Sequence, residues 1–325
     1  MTETWIPHQR LQLHFQAPEP IPLFGYKGSA FRGLFGRALR DLVCPDKSTP
    51  CSKCLLQQQC LYLTIYESPT QPHTETYRKG PNHTPHPFIL TPPLSLEKEL
   101  PPHETFSAEL ILMGSALKAL PHLVLACAKM GQLGLGYHRV RFQLHQVTLL
   151  VGESSHTLYE LQENRLQPVN KISDFPKPSC APQPLPSPVI LEALTPLRFK
   201  SRGKYVTTFS FESFFRSLLF RLDDLSRLYG HGPLPAEIPQ LIQQAKQIQS
   251  CHEGMRWVEY RRYSSRQKKY LILGGLFGTA SFDGDLTPFT PWLRLGEILH
   301  TGKATGFGFG KYRLLSTPTP PSSGS

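Results

Sequence analysis

Apolar and polar residues alternate from Gln9 to Gln16, with Leu11, Leu13 and Phe15 on one side, which predicts a half-buried strand. The period lengthens between Lys27 and Val43. Phe31, Leu34, Phe35, Ala38, Leu39 and Leu42 recur at three and four residues, the stripe of an amphipathic helix. A strand is expected from His103 to Met113. A second helical stripe follows through Leu117, Leu120, Val124 and Cys127, and then Val140, Phe142 and Leu144 alternate with Arg141, Gln143 and His145. After a long proline-rich gap a strand-like run begins at Val189. Ser210 is placed to cap a helix carrying Phe211, Phe214, Phe215, Leu218, Leu219, Leu222, Leu225 and Leu228, stopped by Gly230. Met255 to Tyr270 reads as strand, turn, strand, Pro291 to His300 as amphipathic, and Tyr312 to Leu315 as an apolar strand.

Two glycine-rich segments fall in the same place in this order. Gly131-Gln-Leu-Gly-Leu-Gly-Tyr-His-Arg139 and Gly302-Lys-Ala-Thr-Gly-Phe-Gly-Phe-Gly-Lys-Tyr312 each follow a helical pattern and precede a strand. A repeated sequence of helix, glycine loop and basic strand predicts two copies of one small α+β unit. The second loop is not a Walker loop, because Tyr312 follows Lys311 and a strand follows where a helix is required. Its bare backbone, with Phe307 and the flanking Lys303 and Lys311, suits contact with a polyanion, and a plain sheet-closing turn is the alternative.

The 325 residues suffice for two cores, and 35 Lys and Arg against 24 Asp and Glu leave a formal charge of +11, which favours phosphate-bearing partners. No apolar run is long enough to span a membrane and no signal-peptide core follows Met1, so a cytoplasmic protein without membrane association is expected. The 32 prolines are clustered. These features divide the chain into residues 1–165, a linker at 166–188, a second domain at 189–315 and a disordered tail at 316–325. Pro81 to Pro102 is expected to be a surface loop.

Three segments carry candidate chemistry. In the first helix every charge before Asp41 is positive, and Gly28, Gly33 and Gly36 require compensation such as the close approach of another backbone. Cys44, Cys51, Cys54 and Cys60 lie within an insertion at about 44–66, and their spacing matches a closed structural zinc site. A disulfide pair and an iron–sulfur cluster are the alternatives, the first disfavoured in a reducing compartment. Finally, the hairpin from Met255 interleaves Arg and Lys with Trp257, Tyr260, Tyr263 and Tyr270, a combination suited to phosphates and unpaired bases.

The order Arg262-Tyr-Ser-Ser-Arg-Gln267, Leu273-Gly-Gly-Leu-Phe-Gly278, Leu295-Gly-Glu-Ile-Leu-His-Thr-Gly-Lys303 and Gly306-Phe-Gly-Phe-Gly310 resembles the C-terminal half of a CRISPR-associated endoribonuclease of the RAMP superfamily. Gly28-Ser-Ala-Phe-Arg-Gly33 with the four cysteines resembles the cysteine-bearing branch of that family. The resemblance implies two tandem ferredoxin-like (RRM-like) domains of the α+β class that bind CRISPR repeat RNA, the precursor of guide RNAs, and associate with other CRISPR effector subunits. It implies metal-independent cleavage, in which a 2′-OH attacks the adjacent phosphate to leave a 2′,3′-cyclic phosphate and a 5′-OH, with the product retained. The family's catalytic histidine near the first helix is missing between Leu23 and Val43. His300, beside the second glycine loop, and Tyr26 and Lys27, at the start of the first helix, are therefore the candidate catalysts. Candidate RNA contacts are Arg32, Arg262, Tyr263, Arg266, Gln267, Lys268, Lys303, Gly306, Phe307, Gly308, Gly310 and Lys311. A non-catalytic RAMP subunit that only binds guide RNA is the alternative.

Overall fold

A computed structural model describes residues 6–23, 25–69, 84–95, 97–167, 185, 188–201, 203–264 and 268–316. The first unit runs β1 His8–Gln16, α1 Lys27–Val43, β2 Phe88–Thr91, β3 Thr105–Met113, α2 Leu120–Leu133 and β4 Gln143–Val151. Its antiparallel sheet has the order β2-β3-β1-β4 and continues through β5 Ser154–Glu160 and β6 Arg165–Leu166. Leu11 sits between Leu110 and Leu149 in the register, so the alternating apolar face of β1 lies at the centre of the sheet and beneath both helices.

The second unit repeats the plan. It comprises β7 Val189–Ala193, α3 Phe211–Tyr229, α4 Ile238–Ala245, β8 Gln249–Glu253, β9 Arg256–Ser264, β10 Lys269–Phe277, β11 Thr279–Asp283, α5 Thr290–Leu299 and β12 Tyr312–Ser316. Its sheet order, β8-β11-β7-β12, matches that of the first unit strand for strand. The β9/β10 hairpin is inserted between its second and third strands. Both units share one α+β plan, as the repeated pattern predicts, and that plan is ferredoxin-like, as the resemblance implies. Both glycine loops join the last helix of a unit to the strand, β4 or β12, that pairs with its first strand. Ser210 caps α3 through its hydroxyl, which accepts from the Ser213 N–H at 3.3 Å.

One expectation is corrected. The stretch Pro81 to Pro102 is not simply a surface loop, since Phe88, Ile89, Leu90 and Thr91 form β2 and all four are buried. Both faces of β2 are covered, so the run does not alternate and carries no strand period. Leu90 and Leu112 face the first core, whereas Ile89, Ile111 and Met113 pack into the core of the second unit. The two units therefore share an apolar boundary. It is reinforced by a buried ion network in which Glu109 of β3 receives Arg10 at 2.8 Å and Lys311 from the second unit. Most of the linker expected at 166–188, and the tail beyond residue 316, lie outside the described residues.

Candidate functional site

The apolar stripe of α1 faces its own core, and its Arg32 and Arg37 edge forms one wall of a cleft between the units, about 1760 Å³ in volume. Close approach explains two of the helix glycines. A Cβ on Gly28 would lie 2.0 Å from the Phe307 carbonyl oxygen, and one on Gly36 would lie 2.2 Å from the Tyr66 ring. Gly28 thereby lets the second glycine loop rest directly on the start of α1.

Two arginines meet on that loop. The Arg32 guanidinium lies 4.4 Å from the centre of the Tyr66 ring and 4.7 Å from that of Phe307, and Arg262 of β9 also lies 4.7 Å from Phe307. Arg32 donates to the Tyr66 hydroxyl at 3.0 Å and to His86 Nε2 at 3.1 Å. Burial, and then the charge of Arg32, lower the pKa of Arg262. Among the described residues, three buried polar atoms at this point have no hydrogen-bond partner: Arg32 Nε, Arg262 Nε and the Tyr26 hydroxyl. Tyr26 packs edge-on against Phe309 and tilts onto Tyr260 of the hairpin. Burial, then the neighbouring Tyr260, raise its phenol well above the usual value, so it remains a proton donor at neutral pH. Two cations meeting on one aromatic ring in a cleft suit an anion bearing several oxygens.

The structure places other expected residues elsewhere. His300 is wholly buried at the end of α5, with Nδ1 3.0 Å from the Phe309 carbonyl. Burial, with a further contribution from Lys311, pushes its pKa down to about 3. It fastens the loop from behind and does not face the cleft. Lys27 is also buried, and its ammonium donates to the carbonyl and hydroxyl of Ser95, both at 2.8 Å. Lys311 is paired with Glu109 in the boundary between the units. The expected amide cradle is absent as well. The N–H groups of Phe307, Gly308 and Gly310 bond to the carbonyls of Ala304, Thr305 and Pro196, and that of Lys311 bonds to the Thr195 hydroxyl. Gly306, Gly308 and Gly310 therefore give close packing, and the loop meets the cleft through the ring of Phe307. The amide of Lys303 bonds to the Arg198 carbonyl. Lys268 is exposed at the hairpin turn with a positive φ of 49°. The backbone of Tyr263 pairs with Tyr270. Arg266 and Gln267 lie outside the described residues.

Sequence reasoning missed Tyr66, Ser68 and His86. His86 Nδ1 lies 3.0 Å from the Ser68 hydroxyl, and its ring stacks on Phe88. Its nearest sequence signal is the pair His83 and His86 in a proline-rich stretch, which carries no period. Cys51, Ser52, Gln57 and Gln58 line the far wall of the cleft. The four thiols suit zinc chemically, and Cys44 and Cys51 both lie within electrostatic reach of Arg40. Among the described residues, however, no three His, Cys, Asp or Glu side chains are gathered to hold a metal ion.

Fold and cleft together define a tandem ferredoxin-like protein with a basic, aromatic-walled groove. A family model described as an N-terminal domain, AF_1859_N, matches residues 6–171, and that of the CRISPR-associated endoribonuclease Cas6 matches residues 191–312. The two matches support a CRISPR RNA-processing protein of the Cas6 type, with the Cas6 endoribonuclease match confined to the second unit. Among solved structures it is similar to Thermus thermophilus Cas6, with 17% identity over 95% of this chain and 99% of that one and a TM-score of 0.54. A Cas6 product complex matches with 18% identity over 95% and 100% of the two chains and a TM-score of 0.55. A partial Cas6-RT-Cas1–Cas2 complex matches with 14% identity over 96% of this chain and 46% of that one, with a TM-score of 0.53. At these identities the structural matches establish the fold. No curated protein sequence gives a significant match.

Proposed function

We propose that the protein cleaves CRISPR repeat RNA without a metal ion, in the cleft between its two units, and keeps the product bound. The observation that carries this reading is the meeting of Arg32 and Arg262 on the Phe307 ring, in the cleft that Tyr26 also lines. A phosphate held by the two guanidiniums would have its developing pentacovalent charge offset where it forms. The upstream 2′-oxygen attacks phosphorus and loses its proton to water. The bond from phosphorus to the 5′-oxygen breaks, and that oxygen takes the proton of Tyr26, which solvent restores. The products are a 2′,3′-cyclic phosphate and a 5′-OH. The similar structures titled as a product complex and as a complex with Cas1 and Cas2 support repeat RNA as the ligand and other CRISPR proteins as partners.

The test is incubation of the purified protein with repeat RNA in excess EDTA, followed by analysis of the RNA ends and a gel-shift assay for retained product. Cyclic-phosphate ends with EDTA present are expected. Cleavage that requires a divalent ion would overturn the mechanism, and binding without cleavage would favour the non-catalytic RAMP subunit. Zinc on Cys44, Cys51, Cys54 and Cys60 remains a proposal that rests on donor chemistry. Metal analysis of protein purified under reduction should give about one zinc per chain. Iron, or no metal, would remove it.

A further inference from the structure

Among the titratable groups beside the cleft that the proposed reaction leaves unused is His86, and its surroundings define what it does. A guanidinium has no acceptor, so in the 3.1 Å contact between Arg32 Nη2 and His86 Nε2 the nitrogen of the histidine must supply the lone pair. The ring proton then sits on Nδ1 and is donated to Ser68 Oγ at 3.0 Å. Ser68 in turn donates to the Ile65 carbonyl at 3.0 Å. Three hydrogen bonds run in one direction, from the guanidinium through the imidazole and hydroxyl to the backbone, and they fix the tautomer.

The ring is also clamped on its other sides. It stacks on Phe88 with centres 5.6 Å apart. The Tyr229 hydroxyl of α3, from the second unit, donates to the Pro85 carbonyl at 2.5 Å and holds the preceding residue. A Cβ on Gly306 would come within 2.9 Å of His86 Cδ2 and 3.2 Å of Arg32 Nε, so the loop closes over both groups. Burial, and then the charged groups that face the ring, Arg32 from α1 and Arg221 from α3, push its pKa down to about 3. Ser68 faces it from the segment after Tyr66, and the glycine loop presents no titratable group there.

We propose that His86 is a positioning residue that aims Arg32 at the scissile phosphate, and that it does so only as the neutral Nδ1–H tautomer. The inference rests on the reading of Arg32 as a phosphate ligand. A protonated ring would turn an N–H toward another N–H and set two positive charges about one hydrogen bond apart, which expels the guanidinium. The same geometry argues against His86 as general base. Its basic lone pair is already occupied, and its burial leaves it a weak base.

Substitution by glutamine and by leucine separates these roles, because a glutamine amide can accept from Arg32 and donate to Ser68 but cannot carry the proton of the 2′-OH. We expect His86→Leu to lose roughly 10²-fold in single-turnover cleavage at saturating RNA, a typical loss for a misplaced charge-stabilising group. Affinity should fall less than rate. His86→Gln should retain cleavage within about fivefold, and the rate of neither protein should show a histidine limb near pH 6.5. In an Arg32→Ala background, His86→Leu should add no further loss. A glutamine variant that melts like the parent yet is as inactive as the leucine variant would overturn the proposal in favour of a general base. A leucine variant as active as the parent would remove His86 from the site. Binding of repeat RNA made non-cleavable by 2′-O-methylation separates this proposal from the cleavage reading. If the parent cleaves nothing, the relay still predicts that His86→Leu and Arg32→Ala weaken binding by the same factor and that His86→Gln does not. Unequal factors would overturn it independently of catalysis.

Discussion

The two glycine loops occupy the same topological position and do opposite things. The loop at 131–139 closes on its own unit. Leu135 and Val140 exchange backbone hydrogen bonds at 2.9 and 3.0 Å, and Tyr137 projects with 92% of its surface exposed. The loop at 302–312 instead reaches across to the first unit. Phe307 lies against Arg32, a Cβ on Gly308 would lie 2.8 Å from the Leu90 carbonyl, and Lys311 pairs with Glu109. Glycine spacing marks where the backbone must be compact. What the loop does is set by what it is packed against.

The largest effect that tests this contrast is on stability. Lys311→Met leaves the buried Glu109 with Arg10 alone, and should cost about 3 kcal/mol in urea denaturation, the low end for breaking a buried pair. Arg139→Met in the first loop should cost under about 0.5 kcal/mol, as surface changes do. Equal losses would erase the distinction between the loops.

Acid should act through the second loop in a more graded way. Folded His300 stays neutral down to about pH 3, held by burial and facing Lys311, Glu109 and Arg221. An unfolded histidine binds a proton near pH 6.5, so between these values the unfolded chain holds more protons and stability falls as pH drops. His86, with its pKa also near 3, adds to the same window. His300→Asn should flatten this acid limb in pH-dependent denaturation. An unchanged limb would mean that other groups carry it.

The smallest effect concerns chemistry. Phe307→Ala removes the ring shared by Arg32 and Arg262 and should slow repeat-RNA cleavage roughly tenfold, the scale of lost cation–π contacts. Tyr137→Ala should leave cleavage unchanged. A matching loss at Tyr137 would place RNA on the first loop as well.

Much of the fold was legible because its elements repeat their periods. β1, α1, α2, α3 and the β9/β10 hairpin all follow from spacing, and the duplicated order of helix, loop and strand pointed to two units. β2 was not legible, since four residues buried on both faces have neither length nor alternation. Arg32, Arg262 and Phe307 were singled out from charge and aromatic pattern and Tyr26 from its place at the start of the first helix, and all four line one cleft. His300 and Lys27 were misassigned for a shared reason. Position along the chain says that a group is near a loop or a helix end, and it does not say whether the side chain turns inward. His86 was invisible because its partners, Ser68, Arg32 and Gly306, come from three separate segments.

The boundary shared by the units bears on how far its halves can be exchanged. Ile89, Ile111 and Met113 belong by sequence to the first unit and by packing to the interior of the second. Two units of one plan are therefore unequal dependants. Neither half could be exchanged for a homologous copy without carrying its neighbour's residues with it. Recombination at the proline-rich joint would leave an oily strip open on one side and an unfilled interior on the other. The two halves are therefore expected to tolerate replacement only as one piece.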